Sequence, residues 1–285
     1  MGDFHLCHVI PDAPWAHGLN GYQEIIDSVR WGLEALGHHV SAERNAIRGG
    51  AVNILFGAQM FSEQDLASLP EERFVVYNFE QLAAPELLRA SFGICARRFV
   101  VWDYSERNLD VWRRLSPGRE PVYVPIGWAP VLARIDKPAR QDIEVLFYGW
   151  PGAQRLQVFR ALCDASMSAV FACGLYGADR DGLIARAKVV LNVNRYGRKI
   201  FELARVSYLL ANSKAVVADI SPDTSVESDI REAVLLREPE KIVAGCAELL
   251  ANPGARAELE ARGHEIFRRR DVRAILSAAL KQSGL

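Results

Sequence analysis

The fold is decided by "KVVLNVNRYGRKIFELARVSYLLANSKAVVAD", residues 188–219. It opens as a short apolar run, continues into a stretch apolar at helical spacing, and closes on a second apolar run, Ala215–Ala218. A strand–helix–strand unit of this kind belongs to a parallel sheet covered by helices. Charge nevertheless enters at Arg195, Arg198, Lys199, Glu202 and Arg205. In doubly wound α/β domains ligands bind beyond the carboxyl ends of the strands. A helix N-terminus there, with free amides and a positive dipole end, favours a phosphate. The turn from Asn192 to Lys199 is therefore a candidate anion site. Lys199, Glu202, Arg205, Tyr208 and Asn212 recur every three or four residues, so a helix places them on one polar stripe. Glu202 suits two ribose hydroxyls, with Arg205 holding its carboxylate. An intrahelical Glu202–Arg205 pair is the simpler structural reading.

The alternation extends outward in both directions. Strands are expected at 4–10, 52–57, 73–79, 98–103 and 121–126, and a helix over 21–40 with Gly37 as its stop. "ARIDKPARQD", 133–142, breaks the pattern and reads as a linker. The alternation restarts at "IEVLFYG", 143–149, with a helix over 154–165, strands at 168–174, 189–193 and 215–219, and a helical tail from Pro239. Two Rossmann-like domains are expected, 1–138 and 139–285.

Of the 285 residues half are hydrophobic and 24% charged, and the net charge is −1. That balance supplies two packed cores and argues against bulk binding to nucleic acid or an anionic membrane. Five cysteines without CxxC spacing, of which Cys7, Cys95 and Cys173 lie in apolar or small-residue surroundings, read as free, buried thiols of a reducing compartment. No signal peptide and no ~20-residue apolar span is evident, so a cytoplasmic protein is expected. GxGxxG, Walker, GxSxG and HExxH motifs are absent. Asp179-x-Asp181 has the spacing of a metal-binding pair, but it precedes "LIARAK", where helix capping is the simpler account. No metal or cofactor is expected.

"FYGWPGAQR" (147–155), "GLYGADRDGLIARAKVVLNVNRYG" (174–197) and "KIFELARVSYLLANSKAVVAD" (199–219) resemble the C-terminal half of bacterial GT-B glycosyltransferases. The group is the one called glycosyltransferase family 1 or CgeB-like. "VVYNFEQL", "VVWDYSERN" and "VYVPIGWAP" are similar to its N-terminal half. The resemblance implies two parallel-sheet domains facing a cleft, a nucleotide-diphosphate-sugar donor held by the second, no essential metal, and C-terminal helices packed back on the first. The acceptor, whether glycan, lipid-linked or protein, is left open. Carried over by position, Gly149 is the close turn of the donor domain, Arg155 a basic residue facing donor phosphates, Asn194 stands where histidine is common, and Phe201-Glu202 is the Phe-Glu element. With Asn192, Arg198, Lys199 and Arg205 these make the donor-site set. Two departures stand out. No second glutamate follows Glu202 at eight positions (Leu210 is there), and Ser213 replaces the usual glycine.

A group acting on the acceptor is expected from the first domain. Asp12 and His17 in the first loop, Glu80 after "VVYNF" and Asp103 after "VVW" are the candidates, with Glu80, His17 and Asp103 taken as the catalytic set. Each also has a bland reading: a solvated loop histidine for His17, a turn cap for Glu80, a helix start for Asp103. Trp128 suits stacking or packing between domains. Competing functions are a catalytically idle GT-B-like binding module and a nucleotide-sugar epimerase.

Overall fold

The computed structural model describes residues 1–82, 88–194 and 200–285. The chain divides into two compact units, Met1–Val131 with Asp271–Leu285, and Leu132–Arg270.

In the first unit β1 (Asp3–His8) leads through a 3-10 helix (Pro14–Tyr22) into α1 (Gln23–Ala35). Then come β2 (His39–Arg44), β3 (Val52–Phe56), α2 (Glu63–Ser68), β4 (Phe74–Asn78), α3 (Ala90–Arg98), β5 (Val100–Asp103), α4 (Glu106–Leu115) and β6 (Val122–Tyr123). The described strands form one parallel sheet in the order β2-β1-β3-β4-β5-β6. The expected helix over 21–40 is shorter, because Gly37 takes a left-handed φ of 86° and turns the chain into β2. His39–Arg44 escapes recognition as a strand since it lies at the sheet edge, largely polar and partly exposed.

The second unit holds β7 (Ile143–Tyr148), α5 (Ala153–Asp164), β8 (Ala169–Ala172), α6 (Gly177–Arg186), β9 (Ala187–Asn192), α7 (Leu203–Ala211), β10 (Ala215–Asp219), α8 (Ser228–Ala233), β11 (Leu235–Arg237), α9 (Ile242–Ala251) and α10 (Pro253–Arg268). Its described strands order as β11-β10-β9-β7-β8, all parallel. Val189 pairs with Val145 on one side and Ala215 on the other, so β9 is central. Burial on both faces is why its sequence, like that of β10, is a continuous apolar run.

The last helix, α11 (Val272–Ser283), belongs to the first unit. It rests on α1 where Gly32 leaves room: a Cβ there would stand 2.7 Å from Leu276 Cδ1. Trp102 Nε1 donates to Ser283 Oγ at 2.8 Å, and Val272 N–H donates to the Trp128 carbonyl. Trp128 thus meets the start of this helix through its backbone.

The segment expected as a linker begins as part of the second unit. Asn212 Oδ1 accepts from the Arg134 and Ile135 amides, and its Nδ2 donates to the Leu132 carbonyl. Cys7, Cys95 and Cys246 are buried free thiols, whereas Cys163 and Cys173 are exposed. Cys173 is therefore not the buried residue its small neighbours suggested.

Helix α7 ends in a Schellman turn: the Ser213 and Lys214 amides donate to the Leu210 and Leu209 carbonyls. Ser213 sits there at φ 51°. Ser213→Gly relieves the left-handed strain at a smaller entropic cost, so it is expected to stabilise the protein by about 0.5–1 kcal/mol, read from denaturant midpoints.

Candidate functional site

In the second unit the strand order reverses between β7 and β9, and the carboxyl ends of these strands carry the polar cluster. Gly149 leaves β7 at φ 130°, its amide donating to the Ala172 carbonyl. Its bare Cα lets two guanidinium groups close in: a Cβ would lie 2.9 Å from Arg205 Nη2 and 3.3 Å from Arg155 Nη1.

Arg155, in the first turn of α5, is only 2% exposed. Its Nε donates to the Val193 carbonyl (2.8 Å), Nη1 to the Trp150 carbonyl (2.9 Å), and Nη2 to both Glu202 oxygens (2.9 and 3.1 Å). The expected phosphate-facing residue is instead a brace, joining the ends of β7 and β9 to the start of α7.

Glu202 also differs from expectation. Ile200 bridges to Ser225 and the Phe201 amide donates to the Ser225 carbonyl, so α7 begins at Leu203 rather than near Lys199. Glu202 occupies the cap position, but its side chain makes no capping bond. The charge pairing prevails, with Arg155 on one side and Arg205 Nη2 at 3.1 Å on the other. Arg205 lies over the Tyr148 ring and donates to Asn192 Oδ1 at 3.3 Å. Asn194 joins through its amide, which donates to Asp219 Oδ1 (2.9 Å), while Gln154 Nε2 donates to Asp219 Oδ2. Burial pushes the Asp219 carboxyl up to about 6, and the Glu202 charge adds to the rise against the pull of the Asn194 amide and Arg155.

The structure thus brings Gly149, Arg155, Asn192, Glu202 and Arg205 into one network, with Asn194 attached through Asp219. Arg195, Arg198 and Lys199 lie outside the described residues. Asp219 and Gln154 were missed; the only sequence signal for Asp219 is its place at the carboxyl end of an apolar strand. Asn192 Nδ2 and Asn194 Oδ1 are buried without a partner among the described residues.

The far half of the polar stripe is structural. Tyr208 Oη donates to Asp181 Oδ2 (2.8 Å) and accepts from Arg134 Nε (3.0 Å), and Asn212 holds the 132–135 segment. Asp181 also binds Arg180 at 2.8 Å. Since α6 begins at Gly177, neither Asp179 nor Asp181 is its cap; Asp181 is a pairing residue inside the helix. No group of three His, Cys, Asp or Glu placed to hold a metal ion occurs among the described residues.

In the first unit the reversal lies between β1 and β3. Tyr22 Oη donates to Glu80 Oε1 at 2.5 Å, and Gln59 Nε2 donates to the same oxygen at 3.2 Å. Burial, then the Glu80 charge, drives the Tyr22 phenol well above its usual range, so it stays a donor. Glu80 is half-buried. His17 is exposed on the 3-10 helix and contacts Asn20 within its own turn. Asp12 is likewise exposed.

Asp103 is wholly buried and surrounded by donors: Asn78 Nδ2 (2.7 Å), Trp112 Nε1 (2.7 Å), Asn108 Nδ2 (3.0 Å) and the Ser105 amide (2.8 Å). A carboxylate so enclosed cannot meet a substrate, which corrects its catalytic assignment. His8 was missed as well. Buried at the end of β1, it bonds the Leu19 carbonyl through Nε2 at 2.9 Å and keeps Nδ1 without a partner among the described residues. Burial holds its imidazole below the usual range.

Burial pushes the Asp103 carboxyl up to about 7; the four donors pull it back without offsetting that cost. The folded chain therefore holds this proton more tightly than the unfolded one. Its contribution to stability is full below the unfolded pKa of 3.8 and is lost as pH rises through 7. From pH 6.5 to 8 a loss of about 1 kcal/mol is expected. Urea midpoints should show this slope in the parent and not in Asp103→Asn.

No family model matches the chain, and no curated protein matches it. Solved structures do. AviGT4, a glycosyltransferase involved in avilamycin A biosynthesis, aligns at TM-score 0.60 and 16% identity over 100% of this chain and 97% of its own. HepE of Anabaena, in complex with UDP-glucose, aligns at TM-score 0.62 and 13% identity over 100% of both chains. WaaG, a glycosyltransferase involved in lipopolysaccharide biosynthesis, aligns at TM-score 0.58 and 12% identity over 98% of this chain and 99% of its own. The fold is GT-B. A GT-B chain carries two parallel α/β sheets, and both are present here, six strands and five among the described residues. No described helix is long and apolar enough to cross a membrane.

Proposed function

We propose that the chain is a glycosyltransferase of the glycosyltransferase family 1 or CgeB-like kind, moving a sugar from a nucleotide-diphosphate sugar to an acceptor hydroxyl without a metal ion. The observation carrying this reading is the Gly149–Arg155–Glu202–Arg205–Asn192 network at the reversal point of the second sheet. One GT-B structure similar to this chain holds UDP-glucose.

The second unit holds the donor. Arg155 and Arg205 balance Glu202 and Asp219 in charge, so the described network is a rigid, nearly neutral frame. Excess positive charge for the diphosphate then comes from Arg198 and Lys199, with Arg205, the more exposed of the framed arginines, at the network's edge. The first unit supplies Glu80. In the transfer the acceptor oxygen bonds to the anomeric carbon as the bond to the diphosphate breaks. The diphosphate leaves with the electron pair, stabilised by the cations. The acceptor proton passes to Glu80, which Tyr22 and Gln59 hold in place.

A panel of nucleotide-diphosphate sugars, assayed for nucleotide release in excess chelator, tests the reading. Release from one or more donors is expected, and Glu80→Gln should slow it by about a hundredfold or more. Binding without release would make the chain a binding module. Release only when Mn²⁺ or Mg²⁺ is restored would overturn metal independence.

A further inference from the structure

We propose that Asp103 is a positioning residue for Glu80: its carboxylate fixes the direction of the Asn78 and Asn108 amides, and these hold the turn that presents Glu80. The proposal rests on the reading of Glu80 as the proton acceptor.

Every bond in this cluster has its polarity set by Asp103. An ionised carboxylate only accepts, so Asn78 and Asn108 must both turn their NH2 groups toward it. Their oxygens are thereby aimed the other way. Asn78 Oδ1 accepts from the Glu80 amide at 3.1 Å, and Asn108 Oδ1 accepts from the Leu82 amide at 2.9 Å. The remaining N–H bonds of both NH2 groups converge on the Glu80 carbonyl, at 2.9 and 2.8 Å. The backbone of Glu80 is thus held at its N–H and its C=O by two amides that Asp103 orients.

If either amide turned over, its oxygen would face the carboxylate and the Glu80 carbonyl, and a turn N–H would lose its acceptor. All four side chains of the cluster are buried, so water cannot make good the loss. Trp112 Nε1 and the Ser105 amide add two further donors to the carboxylate. Nothing in the cluster reaches substrate; its effect on the chemistry runs through Glu80.

Asp103→Asn offers an NH2 group where only donors stand, so one neighbouring amide must turn. At pH 8 the Glu80 and Leu82 amides of this variant are expected to exchange with deuterium at least tenfold faster than in the parent. The Val76 amide, inside β4, should keep its protection. The second readout is a double-mutant cycle on nucleotide release, with UDP-glucose as the first probe and the other sugars of the panel after it. Asp103→Asn should slow release by about the factor that Glu80→Gln does, and the double variant should be no slower than Glu80→Gln alone. If Asp103→Asn fails to fold, Asn108→Ala, which frees the Leu82 amide and leaves Asp103 three donors, should give the same pattern. Unchanged exchange at Glu80 and Leu82, or multiplying effects in the cycle, would overturn the positioning role while leaving the Glu80 reading intact. A parent-like rate in Glu80→Gln would overturn that reading itself. If none of the sugars is turned over, the transferase reading fails, and the exchange arm still decides whether Asp103 governs the turn.

Discussion

Glu202→Ala is expected to destabilise the protein by about 3 kcal/mol, the lower part of the range for removing one partner of a buried ion pair. The reason is Arg155, whose side chain is 3% exposed and whose Nη2 loses both Glu202 oxygens. Glu202 itself is 20% exposed, so solvent softens the loss. Arg205, released on its other side, has Asn192 and the Tyr148 ring to fall back on. Denaturant midpoints and a calorimetric titration with UDP on the same variant separate the possibilities. A large fall in midpoint makes Glu202 the keystone of the frame. Weakened nucleotide binding at an unchanged midpoint would instead assign it to the ligand, as the sequence suggested.

Gly149→Ala should be nearly as severe. At φ 130° a side chain costs roughly 1–3 kcal/mol in backbone strain alone. The added methyl would also press on two guanidinium groups. Arg155 is pinned by three residues, so Arg205 has to move off Tyr148 and Glu202. A loss of about 2–4 kcal/mol in stability is expected, with nucleotide affinity down about tenfold. Gly37→Ala is the control: its φ is 86° with nothing within 4 Å of the new methyl, so it reports strain without the displacement. If the two variants are equally unstable and bind UDP equally well, the close approach at Gly149 carries no weight.

Much of this was legible in the sequence. Apolar runs such as 189–193 and 215–219 announce strands because a central parallel strand is buried on both faces. Strands β2 and β11 did not announce themselves: β2 mixes polar residues at a sheet edge, and β11 is only three residues long. Most members of the polar network at the carboxyl ends of β7 and β9 were visible, Asp219 and Gln154 excepted, but not who would hold whom. Arg155 reads as a phosphate ligand because its guanidinium is charged and close to a strand end. That its donors are engaged by Val193, Trp150 and Glu202 depends on contacts 38, 5 and 47 residues apart. Asp103 read as catalytic for the same reason. Its enclosure by Asn78, Asn108 and Trp112 is a tertiary fact with no local signature. His8 hid inside "FHLCHVI", which reads only as a strand.

The return of α11 to the first unit has a consequence for how the molecule is made. Gly32 and Trp102 are covered by Leu276 and Ser283, which leave a ribosome only after the whole of 132–270 has done so. During vectorial synthesis the first unit is therefore held open, with part of α1 and the edge of β5 uncovered, while all of 132–270 emerges behind it. The second unit, contiguous in the chain, is free to close before the first one does. A nascent chain arrested at Arg270 should accordingly protect the core around Val189 and Val216 from protease while leaving the first unit cleavable, and extension through Ser283 should seal it.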